Sequence, residues 1–118
     1  MGSLIFMAWR ETFEAVLFAL LSLSPVSYAA DIPTYTMVAQ AGQLTPATLE
    51  VAAEQRFKVV IRNQGSDDIK FESLQLRRKE IVGVGKESSL IIASLTPGEY
   101  NFFDEFHITS SQGRIIAK

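Results

Sequence analysis

The chain has 118 residues, 47% hydrophobic and 20% charged, a globular composition that fits a single domain. A formal net charge of -2 excludes a generally basic nucleic-acid binder, because phosphate binding needs a surplus of Lys and Arg. With no Cys and one His, disulfides, thiolate nucleophiles, thiolate-bound metals and any site drawing two imidazoles from one chain are excluded as well.

Residues 1–29 differ in character from the rest of the chain. After Glu14 comes an uncharged run, AVLFALLSLSPVSYAA, in which Pro25 ends a helix and Ser27 and Ala29 put small residues where a signal peptidase reads. The run is shorter than the roughly 20 apolar residues of a membrane span. It is read as a signal peptide or N-terminal hydrophobic helix over residues 1–29, followed by one domain over 30–118 in an exported, periplasmic protein. Arg10-Glu11-Thr12-Phe13-Glu14 departs from the positive start of ordinary signals and resembles the R-E-x-x-E helix motif of high-affinity iron permeases. On a helix these three charges share a face. One helix builds no permeation path, so the plainer reading is an atypical signal sequence. The motif still points to an iron context.

From residue 34 the chain reads as short strands divided by turn residues. Tyr35, Met37 and Ala39 alternate with Thr34, Thr36 and Val38, and Gly42 to Pro46 turns the chain. Thr48–Val51 is a short alternating piece. Phe57, Val59 and Ile61 alternate with Lys58, Val60 and Arg62 in the clearest period of two. Asn63 to Asp68 supplies turn residues, after which Ile69–Leu74 is extended, with room for one helical turn over Glu72–Glu80. Ser88–Ser94 is a short apolar run, and Thr96-Pro97-Gly98 is a tight turn. Tyr100–Phe103 is aromatic and extended, and Arg114–Lys118 closes the chain as a strand. Seven or so strands predict an all-β Greek-key β-sandwich. Phe57, Val59, Ile61, Phe71, Leu90, Ile92, Tyr100, Phe102 and Ile115 are its expected core.

Three stretches then resemble cupredoxins: Leu44 to Val51, Phe57 to Asn63, and Leu95 to Phe102 followed by His107 and Gly113. The resemblance spans nearly all of the chain after the N-terminal segment and implies a cupredoxin-like sandwich. At the family's Cys position stands Asp104, at its terminal Met position Arg114, and its first His position falls on Phe71-Glu72-Ser73. A blue copper centre takes a thiolate and two imidazoles, so a blue-copper electron carrier is excluded. The pattern Phe71-Glu72-Ser73-x-x-Leu76, Phe102 to His107 and Gln112-Gly113 is similar to cupredoxin-like domains of EfeO-type bacterial ferrous-iron uptake systems.

That resemblance implies that Glu72, Asp104 and His107 lie around a common point, with Glu105 as a further donor; these four are the candidate metal ligands. Carboxylate and imidazole donors suit iron, Mn or Cu(II), and one chain leaves the shell partly hydrated. Met37 is a weaker thioether candidate that strand packing explains equally well. The expected function is a periplasmic accessory protein of iron uptake that binds an iron or copper ion beside an iron permease and other periplasmic uptake proteins. Nucleic acid is not an expected partner, and membrane contact would come only through a partner or an uncleaved N-terminus. A metal-free interaction module and a copper-handling periplasmic protein are the alternatives. No catalytic motif is present, and assistance to ferrous-iron oxidation is the one reaction the resemblance allows. Arg77-Arg78-Lys79 reads as a solvated loop, with contact to an acidic partner or lipid headgroups as its functional counterpart.

Overall fold

Alternation along each strand decides which side chains meet. In β4 (Phe57–Asn63), Phe57, Val59, Ile61 and Asn63 turn inward, while the side chains between them face outward. The same rule places Met37 and Ala39 of β1 (Thr34–Gln40), Leu44 of β2 (Gln43–Thr45) and Leu90 and Ile92 of β7 (Glu87–Ile92) on the inner face. These strands form a sheet in the order β2-β1-β4-β7, with β1 and β4 parallel. The second sheet runs β3-β9-β8-β5-β6, from β3 (Thr48–Val51), β9 (Gly113–Ala117), β8 (Gly98–Asp104), β5 (Ile69–Ser73) and β6 (Arg78–Val82). The computed structural model describes residues 32–118, which form an all-β, two-sheet sandwich. The N-terminal reading over residues 1–29, with its Arg10–Glu14 motif, lies outside the described residues.

The core lies between the inner faces. Phe71 and Phe102 stack with ring centroids 5.5 Å apart, and Tyr35 meets Phe57 edge-on at 5.8 Å. Phe57, Phe71, Phe102, Met37 and Ile61 are almost fully buried, each contributing roughly 1.5–3 kcal/mol by leaving water. Gly113 is required by this packing: a Cβ there would overlap the Phe102 ring and the Ala47 carbonyl oxygen.

Two expectations are corrected. Glu72–Glu80 holds no helical turn; it is the β5–β6 hairpin, where Arg77 sits in the left-handed region (φ 55°) and donates its N–H to the Leu74 carbonyl at 3.2 Å. Cross-strand pairing of Ile69–Ser73 with Arg78–Val82 satisfies more backbone groups than one helical turn would. Tyr100 is only partly buried, because its hydroxyl reaches out to the Thr96 carbonyl at 2.8 Å and fastens the Thr96–Gly98 turn.

Candidate metal-binding site

β8 delivers Asp104 to one end of the sandwich. Antiparallel pairing sets Phe71 opposite Asp104 and Glu72 opposite Phe103, so Asp104 shares the inward face of Phe71. Asp104 is 1% exposed, and a carboxylate so buried must have its acceptors filled. Oδ1 accepts the N–H of Lys70 at 2.9 Å and that of Phe106 at 3.0 Å, the latter capping the 3₁₀ turn Glu105–His107. Oδ2 accepts Nδ1–H of His107 at 2.7 Å. The Asp104 backbone is tied in turn to buried Ser111, whose hydroxyl accepts from its N–H at 2.7 Å and donates to its carbonyl at 3.2 Å. In the sequence Ser111 is simply a turn residue, and nothing local marks it as buried.

His107 is therefore held in one tautomer, with Nδ1 bound to Asp104 and Nε2 directed to a cavity of about 210 Å³. Gly42, Asn63, Asp67, Asp104 and Ser110 line that cavity with His107. Nε2 lies 3.6 Å from Oδ2 of Asp67. The hydrogen bond to Asp104 holds the imidazole above its usual pKa of 6.5; burial opposes this, and the Asp67 charge assists it. Gly42 has φ 74° and forms the β1–β2 turn against the ring, and a Cβ there would come within 2.9 Å of Ser110 Oγ. Asp67 likewise carries no signal in the sequence: it is one of six successive turn residues, and the fold alone brings it to His107.

The four candidate ligands fall into two pairs. Asp104 and His107 meet at the cavity, while Glu72 and Glu105 lie together on the other face of β5. Glu72 is 6% exposed and faces Lys79 Nζ at 3.5 Å. Glu105 has Oε2 2.9 Å from Lys70 Nζ, at an angle outside hydrogen-bond geometry. The Lys70 ammonium beside it holds the Glu105 carboxyl below its ordinary value. Each of these carboxylates has its own ammonium neighbour. Among the described residues no three His, Asp or Glu side chains converge as a metal-holding group. Met37 is a core residue at 0% exposure.

A type 1 copper centre does not fit this donor set. Asp104 stands where a thiolate would be required, and both its oxygens are engaged within the protein. A hard or borderline ion at Nε2 of His107 fits, since a carboxylate bonded to the other ring nitrogen is the usual way a ligating imidazole is oriented.

Residues 13–117 match the family model for the cupredoxin-like domain. An uncharacterized protein of Rickettsia prowazekii (strain Madrid E) is 34% identical over 74 residues, which is 63% of this chain and 59% of that protein, so the chain spans less than two thirds of this relative. Among solved structures, auracyanin B superposes with a TM-score of 0.65 at 12% identity, covering 80% of this chain and 95% of that one. A copper binding protein in its apo form gives 0.63 at 14% identity, with 72% and 86% covered. A purple cupredoxin from Nitrosopumilus maritimus gives 0.55 at 15% identity, with 71% and 99% covered. At such identities the likeness is one of fold.

Proposed function

The chain belongs to the cupredoxin-like domain family, and from that premise we propose that it is an exported, periplasmic accessory protein of a bacterial iron-uptake system. It takes up an iron or copper ion at His107 and passes it on beside an iron permease. The observation that carries this reading is the Asp104–His107 pair, which leaves one imidazole nitrogen open to a polar cavity. The permease-like Arg10–Glu14 sequence supports the iron context from a separate part of the chain.

The ion is cargo in this reading. With few protein donors, water fills the remaining positions, which suits release more than storage. Nε2 must be free of its proton to bind, so proton and metal compete for one atom. Nothing in the site supplies a catalytic step, and the reading requires none.

Calorimetric titration of the metal-free protein with Fe(II), Fe(III) and Cu(II) tests it. One saturable site per chain is expected, lost in His107→Gln, with affinity falling as pH drops through the His107 pKa. With Cu(II), no strong band is expected near 600 nm, roughly where copper–thiolate transitions lie. The lack of a three-residue group among the described residues favours a second reading, a metal-free sandwich that docks on a partner. That reading prevails if no ion binds the parent.

A further inference from the structure

Resting on that reading of His107, we infer that Asp67 is the second protein ligand of the cation, and that Asp104 is a positioning residue and not a ligand. Asp67 comes from the β4–β5 loop, and a buried side chain sets its place. Asn63 is 2% exposed; its Nδ2 donates to the Asp67 carbonyl at 2.8 Å and to the Val82 carbonyl at 3.0 Å, and its Oδ1 accepts Gly65 N–H at 3.0 Å. The loop is thereby pinned to the end of β6 at the residue that carries the carboxylate.

The neighbouring acids are committed elsewhere. Asp104 has both oxygens filled from inside the protein. Glu72 and Glu105 face lysines on the other side of the sheet. Asp68 accepts the Val84 N–H at 3.3 Å. Asp67, by contrast, has a side chain 71% exposed, and among the described residues its charged neighbour within ion-pair distance is Nε2 of His107, at 3.6 Å. Metal bonds to imidazole nitrogen and carboxylate oxygen are each about 2.1 Å, so one ion bridges such a gap without moving the backbone. One hard oxygen with one imidazole selects divalent first-row transition ions over Ca²⁺ or Mg²⁺, which take oxygen ligands throughout.

The test uses Cu(II) and Mn(II) as probes on parent protein and variants, with calorimetry for affinity and electron paramagnetic resonance for the Cu(II) ligands. Parent protein should show nitrogen coupling from one imidazole, lost in His107→Gln. Asp67→Asn should keep that coupling but bind about 10-fold or more weakly, the order of loss expected when a supporting group is removed from a metal site. Asp67→Glu should recover part of the loss. Circular dichroism of Asp67→Asn should match the parent, since the side chain is exposed. If the parent binds and Asp67→Asn binds equally well, the Asp67 assignment is overturned while the His107 reading stands. If the parent binds neither ion, both are overturned.

Discussion

Asp104 and Glu105 are adjacent in sequence, yet they belong to regions that work in opposite ways. At the cavity, Asp104 spends its charge on two backbone N–H groups and one imidazole, and so directs His107 outward. On the far face of β5, Glu105 and Glu72 have lysine neighbours and close a charge network on itself. The same residue types thus yield an oriented, accessible donor in one place and self-neutralised charge in the other. An acidic side chain becomes available to a cation only where no internal ammonium has already claimed it.

Breaking the first region should have the largest effect. Asp104→Ala strands the Lys70 and Phe106 N–H groups and the His107 imidazole, and should lower stability by roughly 3 kcal/mol in urea denaturation. Glu105→Ala should leave the urea midpoint close to that of the parent, as expected for a partly exposed ion pair. Similar losses for the two would erase the distinction between the regions.

The pH dependence sharpens the contrast with a smaller effect. His107 has a raised pKa in the folded protein, so its charged form stabilises the fold fully below about 6.5, and that contribution fades as pH rises through the folded value. Denaturation midpoints of the parent measured against His107→Gln should converge as pH increases above 6.5. Glu105 has a lowered pKa, so its contribution is present above its ordinary value of 4.5 and is lost as pH falls through the folded one. Glu105→Gln should therefore flatten only the acid limb of the stability profile.

The smallest expected effect is on metal affinity. Glu72→Gln and Glu105→Gln should each bind Cu(II) within about twofold of the parent, since neither carboxylate reaches the cavity and distant charges are screened. A tenfold loss in either variant would return these residues to the metal site and count against the two-pair arrangement.

Much of this is legible in the residues. Period-two alternation in Phe57 to Asn63 marks a strand whatever it pairs with, because successive side chains must point to opposite faces. The missing Cys and the single His decide against blue copper before any fold is known, since the chemistry lacks its donors. The tie from Asp104 to His107, three residues apart around a 3₁₀ turn, is likewise local. Tertiary structure alone decided the rest. Whether Glu72 faces Asp104 or turns away depends on the register of β5 against β8, and a shift of one residue would reverse it. Whether Asp67 meets His107 depends on Asn63 fastening one loop to the end of β6, a contact between residues 19 apart in the chain. No local pattern encodes such meetings, because they arise only when two sheets close on a common core.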